Sequence, residues 1–199
     1  MEITHKPADA RHDIHPLLRD RWSPRSFTGE PLDEETVRTL LEAARWSASC
    51  FNEQPWRYLV APRSDEAAFE AMLGCLAGAN QTWAKNASVL MIACARTTFT
   101  RNDKPNRHAW HDVGLANAQL TVQATAMGLG VHQMAGFSSD EARRVYGIPD
   151  GFEPVAAIAV GKLAPAEALP DDLRERELAP RSRKPMSEIA FMGTWDQAY

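Results

Sequence analysis

Residues 89–95, Val-Leu-Met-Ile-Ala-Cys-Ala, form an unbroken apolar run. A strand that is apolar at every position has no face to turn to water, so it belongs in the middle of a sheet covered on both sides. Even extended to Ala87–Ala95 the run is too short for a bilayer crossing, which needs about 20 apolar residues. A second apolar strand is expected at Pro154–Gly161 and a third at Arg57–Ala61. Helices are expected over residues 11–22, over 65–77, and after Asp33, an N-cap for Val37, Leu40, Leu41 and Ala44 on one buried face. Residues 97–108, with Asn102, Asp103, Pro105 and Asn106, read as a loop.

The helix expected over Ala109–Met127 carries two apolar stripes. Val113, Ala116, Leu120, Ala124 and Met127 make one, and Leu115, Ala118, Val122, Ala126 and Leu129 the other. Such a helix is buried on two sides, either in the core of a monomer or with one side in a subunit interface. Gly128 and Gly130 end it and lead into an extended segment, Val131–Phe137. The 199 residues are expected to form one domain. Within it, residues 162–188, rich in proline and charge, read as an extended arm rather than a packed element. Ile189, Phe191, Met192 and Trp195 at its tip need burial, so the arm is expected to dock, with a partner subunit as one place for it.

With 22 basic and 26 acidic side chains the formal net charge is −4, which argues against nucleic acid as the main partner. The first 30 residues hold no apolar run, so no export signal or membrane anchor is expected. Cys50, Cys75 and Cys94 are odd in number and widely spaced, as in reduced, cytoplasmic proteins.

Two segments carry chemistry. Arg21, Ser23 and Arg25 offer guanidinium forks and a hydroxyl that match a phosphate, and Arg181, Arg183 and Lys184 form a second basic group. Either group taken alone is more often an ordinary solvated face. Ser49, Cys50, Asn52 and Gln54 precede Pro55-Trp56, and their amides suit the polar edge of a flavin ring or a polyol chain, or cap the local backbone. Cys50 has no neighbouring histidine to activate it as a nucleophile. His108 and His111 lack the further ligands of a metal site. Gly128-Leu-Gly130 lacks the third glycine of a dinucleotide fingerprint.

In order and spacing these segments resemble the nitroreductase family of FMN-dependent oxidoreductases from about Ile14 to the C-terminus. The resemblance rests on Arg21-x-Ser23-x-Arg25-x-Phe27, Ser49-Cys-Phe-Asn-Glu-Gln-Pro-Trp56, Asn80 ahead of Trp83, Asp112-Val-Gly114, Gly128-Leu-Gly130, Gly136-Phe137 and Arg181-x-Arg183-Lys-Pro. It implies an α+β fold, with a central, mostly antiparallel sheet flanked by helices, and an intertwined homodimer with an exchanged C-terminal arm. FMN would lie in each interface cleft. By position, Arg21, Ser23, Arg181 and Arg183 would hold the phosphate, with Trp22 among the cofactor-binding residues. Arg25 would sit near the pyrimidine edge, where positive charge stabilises reduced flavin. Ser49, Cys50 and Asn52 would reach the cofactor from the other subunit, with Gln54 supporting their loop. Asn80 would bond the ring or ribityl chain, and Met134, Ala135 and Gly136 would pass beside N5. Two departures stand out: Ala48-Ser49-Cys50 replaces the family's common Pro-Ser-Ser, and Ala135 stands where some members place a glutamate.

The expected activity is NAD(P)H-dependent reduction of nitroaromatics, quinones or enones by a ping-pong mechanism, with the flavin and no side chain as the reactive group and no metal. The alternatives are dehalogenase or oxidase chemistry on the same scaffold, or a flavin-binding sensor without turnover.

Overall fold

Alternation along the apolar run sets the architecture. In the computed structural model, which describes residues 3–199, the run becomes strand β2, Val89–Arg96. It pairs with β1, Trp56–Pro62, and with β4, Phe152–Lys162. The latter also takes β3, Leu129–Met134, and all three pairings are antiparallel, in the order β1-β2-β4-β3. Successive side chains point to opposite faces, so β2 feeds two cores.

Val89, Met91, Ala93 and Ala95 pack under α2, Glu34–Arg45, and α5, Ala109–Ala126. Leu90, Ile92 and Cys94 pack against α3, Glu66–Gly74, and α4, Gly78–Ala84. The same face takes Ala142 of α6, Ser139–Tyr146, and Leu173 of α7, Asp171–Leu178. Each fully buried aliphatic side chain contributes roughly 1.5–3 kcal/mol. The expected α+β sandwich, helices on both faces of an antiparallel sheet, is the observed one.

Several expectations are corrected. The first helix covers only Pro16–Asp20 (α1). His15 precedes a proline, which drives it out of the helical region, and its ring nitrogen accepts the N–H of Leu17 instead. The helix expected to reach residue 77 stops at Gly74, because Leu76 bridges to Phe137. Short helices α4 and α6 occupy stretches where none was expected.

The expected arm from residue 162 begins later. Ala164, Ala166, Leu169, Leu173 and Glu177 are all buried against their own chain, so the stretch through α7 is a packed element. Beyond α7 the chain stays against the domain through Arg181, which bonds the carbonyls of Lys6 and Arg19, and farther on Met186, Ile189, Met192, Trp195 and Tyr199 are exposed. Its tip folds on itself through an antiparallel bridge between Phe191 and Ala198. Helix α5 buries its first stripe completely up to Ala124, whereas Leu115, Ala118 and Ala126 of the second are exposed. In the single chain, one side of this helix is covered and the other is not.

Candidate functional site

The segment after α1 is fixed from below by a carboxylate that sequence reading missed. Glu177 of α7 is 1% exposed. Its oxygens accept the backbone N–H groups of Arg25 and Ser26 at 2.9–3.0 Å. Ser26 Oγ donates to the carbonyl of Pro165 at 2.7 Å, and Phe27 bridges to Leu163. Gly130 of β3 lets this segment lie flat on the sheet edge, since a Cβ there would stand 2.5 Å from Pro24 Cγ.

Arg21, Trp22, Ser23 and Arg25 are thereby presented on one ledge, and the structure brings Arg181 and Arg183 to it. Arg21 Nη1 lies 3.4 Å from Ser23 Oγ. Arg181 donates to the carbonyls of Lys6 and Arg19 at 2.9 and 2.7 Å. Partial burial, then the charges of Arg181 and Arg183, push the Arg21 guanidinium below its ordinary pKa. Arg181 is lowered by burial and by Arg183, with Asp20 opposing. Lys6, also missed, stands 4.9 Å over the Trp22 ring and donates to the Glu177 carbonyl at 2.7 Å. Burial lowers its pKa, Glu177 opposes, and Arg25 and Arg181 lower it further. Like charges held this close, partly dehydrated, suit a multiply charged anion.

Strand β3 runs from this ledge to the remaining expected residues. His132 Nδ1 lies 3.0 Å from the Pro24 carbonyl, and its ring sits 4.7 Å from that of Trp83 on α4. One turn earlier on α4, Asn80 donates through Nδ2 to the Gly136 carbonyl at 2.9 Å. A Cβ on Gly136 would come within 2.6 Å of that amide, so glycine is what admits the contact. Met134 is buried, Ala135 exposed and Gly136 half-buried.

The polar loop is elsewhere. Ser49 Oγ accepts the N–H of Gln54 at 3.0 Å, and Cys50 N–H donates to Asp112 Oδ2 at 3.0 Å. Phe51, Asn52 and Gln54 all hold positive φ, at 53°, 56° and 49°. Non-glycine residues rarely adopt this region, and a cluster of them marks a loop held in one shape by its surroundings. Asn52 and Gln54 are exposed.

Asp112 lies in the first turn of α5. A cavity of about 410 Å³ beside Arg21 and Trp22 is lined instead by Thr125, Gly128 and Leu129 at the helix's far end. From Asp112 to Thr125 at ~1.5 Å per residue is about 20 Å. Within one chain the loop and the basic ledge therefore stand at opposite ends of α5.

A model described as the nitroreductase family matches residues 18–78 and 75–162. A solved structure described as an oxidoreductase containing FMN is 37% identical, covering 99% of this chain and 100% of that one, with a TM-score of 0.91. An uncharacterised 15.4 kDa protein of Mycolicibacterium smegmatis is 36% identical over 64% of this chain and 84% of its own length. The major NAD(P)H-flavin oxidoreductase of Aliivibrio fischeri is 30% identical over 45% of this chain and 43% of its own.

Proposed function

The chain belongs to the nitroreductase family, and from that premise we propose an FMN-dependent homodimeric oxidoreductase. It takes electrons from NADH or NADPH and passes them to small electron-poor acceptors such as nitroaromatics, quinones or enones. The observation that carries the proposal is the convergence of Arg21, Arg181 and Arg183 beside Ser23, a partly buried cluster of like charge that fits a terminal phosphate.

The remaining residues fit an elongated ligand with an anionic tail and a flat polar head. Arg21, Ser23, Arg181 and Arg183 would hold the phosphate, with Trp22 and Lys6 beside it. Arg25 would place positive charge near the ring's pyrimidine edge, while Asn80 and the Met134–Gly136 backbone would border the ring. FMN, held there, would supply the redox chemistry of hydride exchange between NAD(P)H and the acceptor, with ping-pong kinetics. The chain's own part is to bind, orient and shield, and no side chain need act as a general acid or base.

The separation of loop and ledge along α5 supports a dimer in which Ser49, Cys50, Asn52 and Gln54 serve the partner's cofactor. A second copy would also cover the exposed α5 stripe, and the segment from residue 179 would dock on it. The three cysteines are free, which fits a cytoplasmic enzyme.

The purified protein is expected to be yellow and to release FMN on denaturation. Under anaerobic conditions NADH or NADPH should bleach it, and a quinone should restore the colour. A colourless protein that fails to take up added FMN refutes the proposal. FMN that neither nucleotide bleaches would instead indicate a flavin-binding protein without turnover.

A further inference from the structure

Phe51 sits in the polar loop yet offers cofactor binding nothing polar. It is 71% exposed and held at φ 53°, ψ 25°, where a bulky side chain is strained. Exposure of a ring on strained backbone is a standing cost that a purely structural loop has no reason to keep. The ring is not alone. Glu53 Oε1 accepts the N–H of Thr100 at 2.6 Å, tying the polar loop to the turn that follows β2. That turn is closed by Phe99 N–H donating to Lys104 O at 2.9 Å and by a bridge between Thr98 and Pro105.

From it Phe99 meets Phe51 edge-on, centroids 6.1 Å apart at 75°. The Arg101 guanidinium stacks 4.1 Å from the Phe51 centroid and 5.3 Å from that of Phe99. Among the described residues no carboxylate lies within ion-pair distance of Arg101, whereas Arg96 pairs with Asp103 at 3.8 Å. The turn also carries Lys104 and Arg107 against that single aspartate, a local positive field on an acidic chain.

We propose that Phe51, Phe99 and Arg101 form the rim of the acceptor site and select flat aromatic acceptors bearing an anionic group such as a carboxylate. The inference rests on the FMN reading above, through the loop assigned there to the cofactor. Phe51 supplies a face for a planar ring to stack on. Arg101 is steadied by the two rings, and its planar fork matches a carboxylate bidentately.

The test reads reoxidation of the photoreduced holoenzyme, which does not depend on NAD(P)H, by 4-nitrobenzoate and by its neutral counterpart 4-nitrobenzamide. The native protein should favour the carboxylate by about tenfold or more in second-order rate, as charge-assisted hydrogen bonds allow. Arg101→Gln, with FMN still bound, should bring the ratio near one, chiefly by loss on the carboxylate, and Arg101→Lys should restore part of it. Phe51→Ala should slow both acceptors and leave the ratio standing. A native ratio near one, or a preference that survives Arg101→Gln, overturns the inference. So does a change in Arg101→Gln confined to bleaching by NADPH, which would assign the arginine to the donor. Failure of either nucleotide to bleach the native flavin counts against the NAD(P)H reading and leaves this measurement intact.

Discussion

His132 shows how much one side chain can reveal about its surroundings. Its Nδ1 faces a carbonyl, which only accepts, so the proton sits on that nitrogen. Burial, followed by the nearby Arg25 charge, lowers its pKa from 6.5 to about 4, against the opposing pull of the Pro24 and Ser23 backbone. Between those pH values the unfolded chain binds a proton that the folded chain refuses. Stability is thus complete above pH 6.5 and falls as pH drops toward 4. The gap corresponds to up to about 3 kcal/mol. Urea unfolding measured across this window should show the decline, and His132→Gln should flatten it. An unchanged slope in the variant would mean that the histidine is not the group responsible.

Among the elements, α7 does the least expected work. Glu177→Ala would strand the buried N–H groups of Arg25 and Ser26 and should cost about 2–4 kcal/mol by urea midpoint. It should also weaken FMN binding by loosening the arginine ledge. Exposed Glu175→Ala, on the same helix, should stay within about 0.5 kcal/mol of the native protein. Equal effects of the two would show that the buried carboxylate holds nothing. This helix was hidden in the sequence because Pro165, Pro170 and Pro180 surround it and most of its residues are charged. Its only apolar burial signal is Leu173, four residues before Glu177.

By contrast, β2 and α2 were legible, since an unbroken apolar run and a periodic apolar face depend on burial by any neighbour rather than a particular one. Helix α4 lacked such a pattern; its N-cap, Ala77, supplies no side-chain bond, and its buried residues are Trp83 and Ala84. In α6 the Ser138-to-Glu141 cap is written in the sequence, but Ala142 alone is buried. The site divides in the same way. Arginines and loop amides declare themselves by residue type. Lys6 and Glu177 matter through contacts made across 171 and 152 positions, which no local window contains.

For the whole molecule, the exposed stripe of α5 is the decisive surface. Leu115 is 39% exposed in the single chain, and Leu115→Arg would bring a charge into any interface formed there. Sedimentation should find the native protein dimeric and the variant monomeric, with its FMN lost, because each monomer would keep only part of a site. A native monomer that retains FMN would refute the shared-site arrangement.

In the proposed dimer, the distance between loop and ledge along α5 would also have a genetic meaning. A chain damaged in its loop and a chain damaged in its arginines would each fail alone, yet in different halves of the two clefts. Paired together, they would assemble one cleft from sound parts and gather both injuries in the other. In that arrangement two null alleles of this gene would complement each other inside a single dimer, whereas two lesions of the same segment would not.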